Sequence, residues 1–162
     1  MSRLNNMRGL TLIELVVTMV ILSILASLIV PSARLTAKRT KEIELRRDLR
    51  EIRRAIDNYY ADYQEAVKEG KIPKVLDESG YPKTLQVLVD GYDFGGLYKD
   101  KQRFLRRIPK DPFQPENAEK PGWGLRSYED EPDSTIWGGQ DVYDVYSLSD
   151  GTAIDGTKYK DW

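Results

Sequence analysis

Residues 8–30 read RGLTLIELVVTMVILSILASLIV, and this stretch decides the fold of the 162-residue chain. From residue 10 to residue 30 it is almost unbroken in apolar side chains. An α-helix of that length, at about 1.5 Å per residue, spans about 31 Å, which is the thickness of a bilayer core. Glu14 is the exception, because a carboxylate in an apolar medium costs on the order of a few kcal/mol unless it is paired or protonated.

Two simpler interpretations of residues 10–30 fit less well. A secretory signal peptide has an apolar core of about 7–15 residues followed by a cleavage site with small side chains. This run is longer, and Pro31 disfavours cleavage just beyond it. A plain transmembrane anchor explains the length but gives no reason for Glu14. Lys and Arg are more numerous after the run than before it, which by charge alone would put the C-terminal side in the cytoplasm.

The same helix is predicted to continue as an amphipathic stem over residues 31–70. Pro31 is expected either to kink the helix or simply to mark the end of the apolar span, and Gly70 to stop it. Apolar side chains recur three and four residues apart in the stem and form one stripe, which favours packing on the chain's own sheet over a coiled coil. The stripe holds Leu45, Leu49, Ile52, Ile56, Tyr59 and Tyr63.

Polar side chains in the helix have expected partners close by. Glu42 with Arg46, and Arg53 with Asp57, are spaced to form ion pairs one helical turn apart on the wet faces of the stem. Within the apolar run, hydroxyl groups are expected to bond back to the carbonyls of their own helix. These belong to Thr11, Thr18, Ser23 and Ser27.

Residues 71–162 are predicted to form a small α+β domain. A short helix is expected to begin near Pro82, and residues 123–128 and 142–148 are the best strand candidates because they are rich in aromatic and β-branched side chains. An acidic turn at residues 129–133 lies between them. The predicted fold class is therefore α+β, with a long N-terminal helix packed on a small antiparallel sheet.

The composition excludes several kinds of catalytic and metal site, and the charged residues are unevenly distributed along the chain. The chain has no Cys and no His, which excludes disulfides, zinc–thiolate sites and thiol nucleophiles and removes the commonest general base. We therefore do not expect an enzyme. Residues 34–57 hold nine Lys or Arg against five Asp or Glu, whereas residues 111–162 hold four against twelve. These regions either attract each other between neighbouring subunits or are two solvated surfaces.

The segment RGLTLIEL at residues 8–15 resembles the cleavage and methylation signal of type IV prepilin-like proteins. That resemblance implies a basic leader over residues 1–9, cleavage after Gly9 by a membrane-embedded prepilin peptidase, and N-methylation of the new terminus at Leu10. It also implies an inside leader and an outside C-terminal domain. Leu10 departs from the family, in which Phe is usual at this position; Leu is apolar and similar in bulk, so we expect cleavage to survive.

Assembly into such a filament would explain why the apolar helix contains Glu14. It lies one helical turn beyond the new amine at Leu10, so its carboxylate can pair with the N-terminal ammonium of a neighbouring subunit. The pair would offset the desolvation of both charges and fix the axial register of helices that would otherwise slide.

The order of motifs in the head resembles that of the major pseudopilins of type II secretion systems, the general secretion pathway protein G family. The matching pieces are Tyr81-Pro82, IPKDPF at residues 108–113 and YDVYSL at residues 143–148. The resemblance implies a pilin-like fold and a helical homo-oligomeric filament in the periplasm, anchored in the inner membrane, that supports protein export across the outer membrane. Its implied partners are the peptidase, minor pseudopilins and an inner-membrane assembly platform, with no nucleic acid.

The same resemblance implies a calcium ion in the loop after residue 148. The ligands available there are the Leu148 carbonyl and the side chains of Ser149, Asp150 and Asp155, while calcium takes six to eight oxygens. The alternative is two ordinary Asp-Gly turns. The segment also departs from the family, since it is shorter and lacks a closely spaced acidic pair near its end.

Other functions share parts of this pattern. A type IV pilus subunit for adhesion, motility, DNA uptake or electron transfer would carry the same N-terminal signal, although such pilins usually close a C-terminal loop with a disulfide. A minor pseudopilin also shares the signal but often lacks the acid corresponding to Glu14. An enzyme or sensor held by an ordinary anchor is the third alternative, and no spacing of carboxylates singles out a catalytic pair.

Overall fold

The structure is a computed structural model that describes residues 11–75, 78–114 and 122–162, without the side chains of residues 28–32. The chain divides into two compact units, Met1–Arg39 and Thr40–Trp162. In chain order the regular elements are α1 (Leu12–Lys68), α2 (Leu85–Asp90), β1 (Trp123–Arg126), β2 (Asp144–Ser147) and a short 3₁₀ helix (Tyr159–Asp161).

The first unit contributes the beginning of α1, which starts at Leu12 and continues through Pro31. Pro31 therefore does not end the helix, and a kink there stays a prediction. Among the described residues, no helix is both long enough and apolar enough to cross a membrane. The predicted span over residues 10–30 includes positions that lie outside that description, so the span also stays a prediction.

The predicted apolar stripe of α1 is the core of the second unit. All six of its side chains are buried, from Leu45 at 0% exposed to Tyr63 at 7%, because they pack against the head of the same chain. The interpretation as a stem packed on its own domain is thereby confirmed. Burial of each such side chain is worth about 1.5–3 kcal/mol. The opposing core residues are Leu88, Phe94, Leu105, Trp123, Val142, Val145, Ala153 and Tyr159.

Gly70 stops α1, as predicted. Its φ of 70° lies in the left-handed region, where a Cβ is unfavourable. The Gly70 amide donates to the Val67 carbonyl and the Lys71 amide to the Ala66 carbonyl, which is the bonding pattern of a Schellman cap. The short helix α2 begins at Leu85, three residues after the expected start at Pro82.

Both predicted strands form, and they pair with each other. β1 and β2 are antiparallel, with Trp123 opposite Ser147 and Arg126 opposite Asp144. They make a two-stranded sheet in the part of the chain that the structure describes. The result is the predicted α+β, pilin-like arrangement of one long helix on a small antiparallel sheet.

The predicted ion pairs within the stem are wrong. Arg53 pairs with Asp144, not Asp57, and Arg46 pairs with Asp155, not Glu42. The head presents carboxylates that its own loops hold in place, whereas a neighbour one turn away on the helix must lose side-chain freedom for a few tenths of a kcal/mol.

Candidate functional site

At the start of α1, the Glu14 carboxylate folds back onto the first turn. Glu14 Oε2 accepts from the Thr11 amide and the Thr11 hydroxyl, both at 3.5 Å, and the Glu14 amide donates to Thr11 Oγ1 at 3.3 Å. This reciprocal arrangement is a capping box, and it satisfies amides that the first turn of a helix leaves without partners. The spacing Thr-x-x-Glu is visible in the sequence and indicates this local role for Glu14, in addition to the predicted intermolecular one.

The turns of α1 that follow Glu14 expose a continuous apolar surface. The large apolar side chains from Leu12 to Leu25 are between 46% and 82% exposed within the single chain. An apolar surface of this extent marks contact with lipid or with protein. The polar side chains on it are self-satisfied as predicted: the hydroxyls of Thr18, Ser23 and Ser27 donate to the carbonyls of residues 15, 19 and 24.

For the other predicted N-terminal residues, the structure defines no side-chain contacts. Gly9 and Leu10, the predicted cleavage and methylation positions, lie outside the described residues. Pro31 lies within α1, and its side chain is among those not described. Of the predicted assembly residues, Glu14 is therefore the one whose surroundings are defined.

Two motifs that are far apart in the sequence meet in the head. The Ser147 hydroxyl, from the YDVYSL segment, donates to Asp111 Oδ2, from the IPKDPF segment, and both residues are buried. The other oxygen of Asp111 accepts from the Phe113 amide at 2.8 Å. The Trp123 indole donates to the Pro109 carbonyl at 3.0 Å. Because these bonds satisfy their polar groups, Asp111 and Ser147 can be buried in the small core of the head.

Arg53 joins α1 to the C-terminal half of the head. Its guanidinium donates to Asp144 Oδ1 at 2.7 Å, to the Val145 carbonyl at 3.0 Å and to the Trp162 carbonyl at 2.8 Å. Arg126 Nη1 reaches the second carboxylate oxygen of Asp144 at 3.4 Å. One arginine thus fixes both β2 and the end of the C-terminal segment against the helix.

About two and three turns before Arg53, the side chains of Arg46 and Glu42 bind the C-terminal loop. Glu42 Oε1 accepts from the Ile154 amide and from the Tyr159 hydroxyl, both at 2.9 Å. Arg46 Nη2 donates to Asp155 Oδ2 at 3.1 Å, and its guanidinium lies 4.0 Å from the centre of the Trp162 ring. These contacts act at the place where the sequence predicts a calcium ion.

Two of the four predicted calcium ligands, Asp155 and Ser149, are already engaged in hydrogen bonds. Asp155 Oδ1 accepts from the amide and the hydroxyl of Thr157, at 3.0 and 2.6 Å, while its Oδ2 accepts from Arg46. Ser149 Oγ accepts from the Gly151 amide at 3.3 Å, while Asp150 and Leu148 are exposed. Among the described residues no three acidic side chains form a group that could hold a metal. This donor set does not fit calcium, and binding there stays a prediction that requires release of Asp155.

Two ionisable groups of the loop respond to these contacts. The hydrogen bonds from Thr157, and then the charge of Arg46, lower the pKa of the Asp155 carboxyl. Burial, and then the bond to Glu42, raise the pKa of the Tyr159 phenol to about 12. The folded loop thus favours the ionised form of Asp155 and the neutral form of Tyr159.

A cluster of tyrosines on the head was missed from the sequence. Tyr60 and Tyr81 stack with ring centres 4.5 Å apart, and Tyr81 in turn contacts Tyr128 and Tyr143 at 5.7 and 5.0 Å. The four residues come from four separate segments, so no local pattern joins them.

Comparison with known proteins gives a consistent result from a family model and from curated relatives. Residues 4–30 match the family model for the prokaryotic N-terminal methylation motif. The type II secretion system core protein G of Klebsiella pneumoniae is 31% identical over 122 residues, covering 68% of this chain and 71% of that protein. The protein of the same name from Klebsiella michiganensis is 30% identical over 116 residues, with the same coverage. No solved structure gives a significant match.

Proposed function

Since this chain belongs to the family of type II secretion system core protein G, we propose that it is the structural subunit of a type II secretion pseudopilus. In this proposal a prepilin peptidase removes residues 1–9, the new terminus at Leu10 is methylated, and the mature chains polymerise through α1. The membrane-anchored filament then supports export of proteins across the outer membrane. The chain itself performs no reaction.

The observation that carries the proposal is the apolar surface of α1 with Glu14 at its start. Side chains as large as Leu12 and Ile13 are 82% and 67% exposed, and water is an unfavourable medium for so much apolar area. Lipid would cover this surface before assembly, and the helices of neighbouring subunits would cover it afterwards. A structural subunit needs both environments, whereas a simple tether needs only the first.

Glu14 supplies what an apolar helix lacks, which is a preferred register. Its hydrogen bonds to Thr11 are long, at 3.5 Å, so the carboxylate can exchange them for a stronger charged donor at little cost. The methylated ammonium of a neighbouring Leu10 is such a donor. In an apolar filament core this pair would be favoured at one axial offset, because any other offset leaves two buried charges unpaired.

A deletion strain tests the secretion role. We expect its medium to lose proteins that the parent strain exports, while fibres on the cell surface, if the strain makes any, remain. The opposite result, loss of surface fibres with normal export, would assign the chain to a type IV pilus instead. Complementation with the wild-type chain is the control for both readouts.

Mass spectrometry of the protein purified from membranes tests the processing steps. A mature chain that begins at a methylated Leu10 is expected. A chain that keeps its leader in cells with an active prepilin peptidase would rule out assembly by this route and would support a tethered enzyme or sensor.

A further inference from the structure

The tyrosine cluster forms a surface patch. Tyr128 is 60% exposed and Tyr143 45% exposed, and both lie against Tyr81, which is stacked on Tyr60 of α1. We call these four residues the tyrosine patch. The two other tyrosines that are not buried have contacts within the head. Tyr92 packs against the core beside Phe94, and Tyr98 donates its hydroxyl to Asp62.

The hydroxyl groups of the tyrosine patch have no hydrogen-bond partner in the part of the chain that the structure describes. Three exposed acidic side chains, Glu129, Glu131 and Asp133, follow Tyr128 directly. The intervening Asp130 turns inward and accepts from the amides of Ser127 and Gly138. The surface therefore combines aromatic rings, free hydroxyls and negative charge, which together suit a partner rich in arginine.

The head carries such a surface elsewhere. Arg50 and Arg54 of α1 line a shallow groove with Phe104, and Arg103 and Arg106 line the next groove, which shares Phe104. A third groove adds Arg107 beside Glu51. We call the five arginines the arginine face. All five are exposed, and none forms an ion pair with another described residue.

The tyrosine patch and the arginine face lie on different flanks of α1. At about 100° per residue, Arg50 and Arg54 lie about 80° and 120° around the helix from Tyr60, and Glu51, which lines two of the arginine grooves, lies about 180° from it. Among the described residues, the ring contacts of the tyrosine patch include no arginine of the arginine face. A contact between the two surfaces would therefore join two copies of the chain.

We propose that the tyrosine patch of one subunit docks on the arginine face of the next subunit in the filament. This inference rests on the proposed function, and it names a contact surface on the head that the apolar helix does not supply. Arginine planes would stack on the exposed rings of Tyr128 and Tyr143, and the acidic residues after Tyr128 would pair with the guanidinium groups left over.

The chain already uses this chemistry within the head. The Arg126 guanidinium lies 4.1 Å from the centre of the Tyr146 ring, and that of Arg46 lies 4.0 Å from the Trp162 ring. Because the two docking surfaces are different, a pair of subunits keeps one arginine face free on the first subunit and one tyrosine patch free on the second. A contact of this kind does not close on itself as a dimer and continues as an open polymer.

Cysteine cross-linking tests the contact directly, because the chain has no cysteine of its own. A chain with both Tyr128→Cys and Arg54→Cys is assembled in membranes and treated with a mild oxidant. We expect a ladder of covalent multimers on a non-reducing gel. Either single variant can give nothing larger than a dimer. The matched control pairs Tyr128→Cys with Lys68→Cys, an exposed position outside the arginine face.

Filament yield tests whether the contact matters. Aromatic and arginine side chains at the centre of an interface commonly cost 2 kcal/mol or more on truncation, so we expect Y128A/Y143A to lower yield by about tenfold or more. R50E/R54E should do the same by repulsion. The control K71E/K74E changes the net charge equally at exposed positions outside both surfaces and should assemble normally. Thermal unfolding verifies that each variant is folded.

The outcomes separate the two proposals. The contact is supported if the ladder forms with Tyr128→Cys and Arg54→Cys but not with Tyr128→Cys and Lys68→Cys, and if Y128A/Y143A and R50E/R54E both lose filaments. Normal filaments with a methylated Leu10, but no ladder or no loss of yield, would overturn the contact and leave the pseudopilus role standing. Failure of the wild-type chain to form filaments would overturn both.

Discussion

At the scale of single residues, Glu14 has a local role and a proposed intermolecular one. In the chain its carboxylate caps the first turn of α1 through Thr11. In a filament it would pair with the ammonium of a neighbouring Leu10. The two roles differ in what they require, because a cap needs only a hydrogen-bond acceptor whereas the ion pair needs a negative charge.

The variants Glu14→Gln and Glu14→Leu distinguish these roles. Gln keeps the acceptor and the size of the side chain but removes its charge, so we expect filament yield to fall as far as with Leu. Sedimentation of sheared filaments measures this yield. Glu65→Gln, an exposed change on the same helix, is the control. Normal assembly of the Gln variant would mean that the cap, not the charge, is what assembly requires.

Among the arginines of α1, half-buried Arg53 is the one whose loss we expect to destabilise the head most. Arg53→Met leaves the carbonyls of Val145 and Trp162 without this donor and leaves Asp144 with the longer bond from Arg126, and should lower the free energy of unfolding by about 1–3 kcal/mol. The neighbouring Arg54→Met should stay within about 0.5 kcal/mol. Thermal unfolding of the two detergent-solubilised chains makes the comparison, and equal melting temperatures would contradict it.

How far the sequence predicts these residues depends on how local their contacts are. The buried stripe from Leu45 to Tyr63 was predictable because it follows the helical period, and Gly70 because left-handed backbone favours glycine. The capping box at Glu14 was predictable in principle and was overlooked. The partners of Arg46 and Arg53 were not predictable, since 109 and 91 residues separate them from Asp155 and Asp144.

At the scale of elements, the C-terminal loop is fastened to α1 by side chains. Glu42 and Arg46 bind it on one side, and the Tyr159 ring stacks on Phe113 with centres 4.1 Å apart on the other. Two Asp-Gly dipeptides in the sequence predicted turns there. The sequence could not indicate that an arginine would reach Asp155, because that contact depends on the head folding back onto the helix.

A calcium ion at the predicted site would have to compete with Arg46 for the Asp155 carboxylate. We expect the unfolding temperature of the wild-type chain to be the same with calcium and with a chelator, and Arg46→Ala to lower it under both conditions. The exposed Arg34→Ala is the control for loss of a charge on α1. A rise in the wild-type unfolding temperature with calcium would support the ligand set predicted from the sequence.

At the scale of the whole molecule, tyrosines tie the head together and make its stability depend on pH. Burial, with smaller contributions from neighbours, raises the pKa of Tyr81 to about 12, and that of Tyr159 is raised to the same value. Burial also raises the pKa of Tyr59. A phenol whose pKa is higher in the folded state contributes stability below its unfolded pKa of about 10 and loses that contribution above it.

We therefore expect the head to lose stability between about pH 10 and pH 12. Tyrosinate absorbance and circular dichroism followed together should change over the same interval, because ionisation and unfolding are linked. Tyr159→Phe should make the loss less steep, since it removes one of the shifted groups. Tyr143→Phe, at an exposed position, is the matched control. Ionisation complete near pH 10 with the fold intact would contradict the expectation.

The contacts between α1 and residues 159–162 also affect how the head folds during synthesis. A ribosome makes Glu42 and Tyr159 117 residues apart, and Arg53 and Trp162 109 residues apart. These contacts cannot form until residues 159–162 have been synthesised, and contacts so distant form slowly. We therefore expect the apolar stripe of the stem to lack its packing partners during much of synthesis, which favours aggregation of the nascent chain unless the stripe is shielded.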